Sequence, residues 1–188
     1  MTPYLIVAHS PRPGADPDGP GGNPSEAELS PVVCAEVVRL VQGAQLAEGA
    51  TSGQRRAFVA AQTGERLGIE VHANTGRGKA GIVFYYPGSH RGERAARFVA
   101  AGLQTEIRKI VSDYYCIVQP AQDKWDDGSE AWPNAQDGLV WSWRAPADCS
   151  GVLVELGFLD APDHAPLWTP NGLLLCAKGI ASGLWMMS

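Results

Sequence analysis

Gly151-Val152-Leu153-Val154-Glu155-Leu156-Gly157-Phe158-Leu159 places one carboxylate in the middle of an otherwise apolar run bounded by glycine. Such a run reads as a strand buried on both faces, the kind found inside a parallel sheet. An unpaired carboxylate there costs several kcal/mol, so Glu155 needs compensation. An arginine or a ring of backbone N–H groups would supply it, and so would a functional site. Two further stretches share the oddity. Tyr4-Leu5-Ile6-Val7-Ala8 runs into His9, and Ile69-Glu70-Val71-His72-Ala73-Asn74 ends an apolar-patterned strand on a metal-capable side chain. Open parallel sheets place their sites beyond the carboxyl ends of the strands. Two strands ending in His and a third carrying Glu therefore predict ligands and a base at one sheet edge, and a mononuclear zinc hydrolase is the leading reading.

The 188 residues suffice for one domain with a full core and not for two of ordinary size. A single catalytic domain over 1–188 is expected, with no residues left for a separate wall-binding module. The formal charge of −5 argues against nucleic acid as a partner, because phosphate binding rests on clustered Lys and Arg. No run approaches the ~20 apolar residues of a membrane span. Met1-Thr2-Pro3 leads straight into a strand, without a basic segment or signal-type apolar stretch, so synthesis in the cytoplasm without a signal peptide is expected. Cys34, Cys116, Cys149 and Cys176 are dispersed, with no Cys-x-x-Cys, which indicates neither a zinc knuckle nor a redox motif. Cys34 and Cys176 fall in apolar helical patterns and read as small buried hydrophobes.

Ser10 to Pro24 is dense in proline and glycine and predicts a loop, placed where it walls the exit of the first strand. Ser30-Pro31 predicts an N-cap and first turn, with Val33, Val37, Leu40 and Val41 at helical spacing behind them. Glu26 and Glu28 stand just before. Ser25 with Glu28, and Asn23 with Glu26, both have capping-box spacing, so each glutamate reads as a cap or as a carboxylate near His9. A second helix is predicted over Gln54–Thr63, strands over Leu67–His72 and Gly81–Pro87, and a long amphipathic helix from Ser89 to Val111. The period of a strand puts Glu70 on the face of His72. Glu70 reads more simply as a solvated residue near a strand start, alternatively as a carboxylate that orients the imidazole.

His90, Arg91, Arg94 and Arg97 read as a solvated helix face in preference to a substrate-binding one, and His164 as a loop residue. Tyr114 to Trp143 resists placement. Its Trp125, Trp132, Trp141 and Trp143, in a polar context, read as rings that stack on sugars or, the preferred reading, pack beneath a long loop. Thr169-Pro170 predicts the cap of a last helix through Leu184. Strands alternating with helices predict an α/β layered domain.

The order of these signals resembles the zinc-dependent N-acetylmuramoyl-L-alanine amidases of the amidase-3 type. It is carried by Val7-Ala8-His9, by Glu26 leading into a helix, by Ile69-Glu70-Val71-His72-Ala73-Asn74, by Gly81-Ile82 opening a strand, and by Leu153-Val154-Glu155-Leu156-Gly157-Phe158-Leu159. The resemblance implies a twisted, mostly parallel sheet with helices on both faces, of the phosphorylase/hydrolase-like type. It implies that His9, Glu26 and His72 bind one Zn²⁺ and that Glu155 is the catalytic carboxylate. Glu26 is preferred to Glu28 because the helix's apolar pattern then falls in the family's register. The implied substrate is the amide between N-acetylmuramic acid and L-alanine in peptidoglycan. Two departures stand out. The family usually has Asp-Pro-Gly before its first His and Gly-Gly after it, where this chain has Ile6-Val7-Ala8 and Ser10-Pro11. The usual Ser before the second His motif is Glu70 here.

Two His and one Glu form an acceptable catalytic zinc set with an open fourth position. No Gly-x-Ser-x-Gly elbow is present to support a serine hydrolase. An unsignalled single-domain amidase resembles a bacteriophage endolysin, held in the host cytoplasm and acting on the bacterial cell wall. Peptidoglycan is then the expected partner, with no membrane insertion and a monomer as the expected state. Two alternatives remain: another zinc amidohydrolase or peptidase acting on small soluble substrates, and a non-catalytic wall-binding domain.

Overall fold

The computed structural model describes residues 1–8, 25–75, 78–121 and 149–187. His9, the loop expected over Ser10–Pro24 and the four tryptophans from Trp125 to Trp143 lie outside them. In chain order the elements are β1 (Thr2–Val7), α1 (Glu26–Leu40), β2 (Gln45–Leu46), α2 (Ser52–Ala61), β3 (Arg66–Asn74) and β4 (Ala80–Tyr85). There follow α3 (His90–Ile107), β5 (Tyr115–Pro120), β6 (Cys149–Phe158), a 3-10 helix (Pro162–Trp168) and α4 (Pro170–Trp185).

The six strands form one sheet in the order β2-β1-β3-β6-β4-β5. Every neighbouring pair is parallel except β4 with β6, which is antiparallel. The mostly parallel α/β sheet expected from the sequence is thus present. The run that holds Glu155 is one of the two central strands, and Val152, Leu153 and Val154 are fully buried. Only a strand covered on both faces can bury consecutive apolar residues.

The core divides on the sheet. One face carries Leu5, Ile69, Val71, Val152 and Val154 against Val33 and Val37 of α1, Val99 and Leu103 of α3, and Ile180 of α4. The other carries Tyr4, Ile6 and Leu153 against Val59 of α2. Cys34 and Cys176 are buried, as expected. The α3–α4 contact is backbone on backbone: a Cβ on Gly102 would lie 2.1 Å from the Gly179 carbonyl oxygen, and one on Gly183 would lie 2.6 Å from Val99 Cα. Gly102→Val forces these helices apart, and a loss of about 1–3 kcal/mol is expected. The shift of the urea midpoint measures it.

Four sequence expectations are corrected. Helix α1 starts at Glu26, a turn before Ser30-Pro31. Ser25 is the N-cap, and Glu28 Oε2 accepts hydrogen bonds from its N–H (2.8 Å) and hydroxyl (2.9 Å). This early cap outcompetes the Ser-Pro signal, and Pro31 is carried inside the helix at the loss of one backbone hydrogen bond. The segment that resisted placement contributes β5, an edge strand ending at a proline, where its missing N–H costs no ladder bond. Alternation hid it, because Tyr115 and Ile117 point outward and are 44% and 39% exposed. Third, α3 ends at Ile107, not Val111: the N–H groups of both Ile110 and Val111 turn back to the Ile107 carbonyl. Finally, His164 is a buried member of the 3-10 helix and not a loop residue, its Nδ1 accepting the Phe158 N–H at 2.9 Å.

Candidate active site at the carboxyl edge of the sheet

Strands β1, β3 and β6 run in the same direction, so their carboxyl ends share one edge. His72 of β3 is the register partner of Glu155 of β6, which sets their Cα atoms about 4.8 Å apart with side chains on one face. Glu70, two residues before His72, shares that face. The register shifts between His72 and Asn74, an irregularity of the kind that re-aims side chains beside sites.

Glu26, the first residue of α1, enters from the helix packed on the opposite face. Its Oε1 lies 2.7 Å from His72 Nδ1 and accepts the Ala73 N–H at 3.1 Å. The capping box explains why Glu26 and not Glu28 arrives here. Glu28 is engaged at the exposed helix end, while Glu26 is 1% exposed.

On the far side of the ring, His72 Nε2 lies 3.2 Å from Glu70 Oε1, and Glu70 Oε2 lies 3.4 Å from Arg56 Nε. Glu70 is fully buried, so the simpler expectation of a solvated residue is wrong. It occupies mid-strand on the inner face, where α2 covers it. Arg56 and its neighbour Arg55 are the partners that sequence reading missed, since two arginines in a helix carry no mark of burial. Arg55 donates to the carbonyls of Val7 (2.6 Å), Gly49 (3.0 Å) and Ala50 (3.1 Å), tying α2 to the end of β1.

Ser30, freed from capping, bridges two strand ends. It accepts the Ala8 N–H at 3.1 Å and its hydroxyl donates to the Val71 carbonyl at 2.7 Å. Ser30→Ala removes both of these bonds and loosens the end of β1 against β3. A loss of about 1–3 kcal/mol is expected in thermal or urea unfolding.

The electrostatics follow from this crowding. Burial alone pulls the His72 pKa down, but the close contacts of its ring nitrogens with the Glu26 and Glu70 carboxylates and the charges of Glu70 and Glu155 outweigh it, to about 10. Burial pushes the Glu155 carboxyl up, the His72 imidazolium opposes this, and the carboxylates of Glu26 and Glu70 add to it, to about 8. Among the described residues the Glu26, Glu70 and Glu155 carboxylates thus crowd around the His72 imidazole, with the Arg56 guanidinium beside Glu70. Neither Glu155 oxygen has a hydrogen-bond partner among the described residues.

This donor set fits a divalent cation. It is rich in anionic oxygen, includes an imidazole, and leaves the Glu155 oxygens without a hydrogen-bond partner among the described residues. Zinc ligands bonded at about 2.0–2.1 Å in a tetrahedron stand roughly 3.3 Å apart, so Glu26 and His72 need part only slightly. Among the described residues no three His, Cys, Asp or Glu side chains converge with metal-binding geometry. The described chain thus supplies a pair, and the distance from His9 to His72 lies outside it.

No protein-family model matches the chain, and no curated protein matches it in sequence. Solved structures do match. Cwp6 from Clostridium difficile aligns over 99% of this chain with TM-score 0.70 and 14% identity, and the chain spans 29% of its length. The catalytic domain of CwlV, an N-acetylmuramoyl-L-alanine amidase from Bacillus (Paenibacillus) polymyxa var. colistinus, aligns over 100% of this chain and 98% of its own (TM-score 0.69, 14% identity). The catalytic domain of the CD27L endolysin targeting Clostridia difficile covers 96% of both chains (TM-score 0.51, 18% identity). The chain therefore has the fold of the N-acetylmuramoyl-L-alanine amidase catalytic domains, as the sequence resemblance to the amidase-3 type implies.

Proposed function

We propose that this chain is a zinc-dependent peptidoglycan hydrolase that cleaves the amide between N-acetylmuramic acid and L-alanine. His9, Glu26 and His72 hold the ion, and Glu155 is the acid–base residue. The observation that carries this reading is the meeting of Glu26, His72 and Glu155 at one sheet edge, with both Glu155 oxygens buried and without a hydrogen-bond partner among the described residues. His9 enters the set on the sequence resemblance.

When bound, zinc polarises the scissile carbonyl and makes a water acidic enough to attack at neutral pH. Glu26 and His72 orient that ion from one side of the edge. Glu155 takes the proton of the attacking water at a carboxylate oxygen and returns it to the leaving amine. Its pKa of about 8 without a cation falls when positive charge is added nearby, toward the neutral range where one group serves as base and then acid. Its apolar strand keeps bulk water from competing for that proton.

The test is digestion of purified peptidoglycan with and without zinc, followed by mass spectrometry of the muropeptides. Release of intact stem peptides with a free L-alanine amine supports the reading. Cleavage confined to small N-acyl amino acids favours a different amidohydrolase, and zinc binding without turnover favours a wall-binding domain. The narrower reading, a bacteriophage endolysin, draws support from the likeness to the CD27L catalytic domain. It predicts that cells making the chain in their cytoplasm lyse only when the membrane is permeabilised.

A further inference from the structure

We infer that Glu70 is a positioning residue for the proposed zinc site: a buried carboxylate, anchored by Arg56, that holds His72 so that its Nδ1 is turned to Glu26 and the metal. The inference rests on the reading of Glu26 and His72 as metal ligands. Its own support is geometric. The two nitrogens of the His72 ring lie within ion-pair distance of two different carboxylates, Nδ1 at 2.7 Å from Glu26 and Nε2 at 3.2 Å from Glu70.

A neutral imidazole carries one N–H and one lone pair. Both contacts are ion-pair proximities without hydrogen-bond geometry in the metal-free chain; once Glu26 is engaged by a metal, Glu70 is the carboxylate left to take the ring N–H, which turns the other nitrogen to the ion. Glu70 is fully buried, and a buried carboxylate is tolerated only with compensating partners. Arg56 supplies one, its Nε 3.4 Å from Glu70 Oε2 and its side chain 9% exposed. Its guanidinium keeps its charge across the accessible pH range. The chain Arg56–Glu70–His72–Glu26 thus crosses from α2, through two side chains of β3, to the start of α1. A carboxylate behind a metal-bound imidazole also raises its basicity, and loss of such a partner typically costs 10–100-fold in metal affinity or activity.

Glu70→Gln keeps the shape and an acceptor oxygen while removing the charge. Zinc affinity by chelator competition is expected to fall about 10–100-fold, with the circular dichroism spectrum unchanged. Long-range proton–nitrogen spectra of the zinc-loaded wild type are expected to show His72 protonated at Nε2 and metal-bound at Nδ1. Wild-type zinc affinity in Glu70→Gln, or metal found on Nε2, overturns the inference and leaves the zinc reading standing. A wild-type chain that binds no zinc overturns both. Should Glu70→Gln fail to fold, the Arg56→Gln, Glu70→Gln double variant removes both buried charges, and the same measurements on it decide the question.

Discussion

Glu155→Gln is expected to lower amide cleavage in peptidoglycan by a factor on the order of 10²–10⁴ while the bound zinc per chain stays at the wild-type value. The carboxylate is the register partner of His72, one strand away from the proposed ligand, and its oxygens have no other work among the described residues. Glutamine has the same shape and cannot accept the proton. The same substitution changes stability in a predictable direction. In the metal-free protein the Glu155 carboxyl titrates at about 8, against an ordinary value of 4.5.

Between these two values the folded chain holds a proton that the unfolded chain has released, so stability falls as pH rises through that window. The metal-free Glu155→Gln protein lacks this penalty. It should therefore melt above the wild type at pH 8 and draw level with it near pH 4.5. Turnover equal to the wild type would remove Glu155 from the chemistry. Equal melting at both pH values would remove the electrostatic account of its burial.

His72→Ala should abolish zinc binding in the measurable range. The loss should exceed the about 10–100-fold that removal of an orienting group costs, and turnover should go with it. In the wild type the affinity itself should depend on pH. Without metal, the His72 imidazole sits between Glu26 and Glu70 and keeps its proton up to about 10. Zinc must displace that proton near neutrality, so affinity rises about tenfold per pH unit between pH 7 and 9.

The stability sign follows from the same shift. A pKa raised from 6.5 to about 10 stabilises the metal-free fold fully below 6.5 and ceases to do so as pH passes through 10. Chelator competition at several pH values measures the affinity, and calorimetry in buffers of different ionisation enthalpy counts the protons released. A pH-independent affinity, or a His72→Ala chain that binds zinc like the wild type, would exclude His72 from the ligand set.

Much of this was legible in the residues, because a strand's two-residue period and its burial leave marks in one dimension. Leu153-Val154-Glu155-Leu156 announced a central strand with a misplaced charge, and such a strand fixes a sheet around itself. The helix cap at Thr169 was readable for the same reason, as it joins residues three apart. The same rule explains the misreading at Ser30. Ser30-Pro31 and Ser25-x-x-Glu28 are both valid local starts, and only packing against the strand ends chose between them. That choice also assigned the two glutamates, Glu28 to the cap and Glu26 to the imidazole.

What tertiary structure alone decided are the contacts between residues far apart in the chain. Arg56 compensates Glu70, Ser30 joins Ala8 to Val71, and Glu26 crosses 46 positions to reach His72. No periodicity encodes these pairs. Each exists because the parallel crossovers bring a helix start and the ends of β1, β3 and β6 to the same edge. Sequence alone thus determined that a buried acid and a strand-end histidine existed and needed an explanation. The fold determined that they share a face, and which charges surround them.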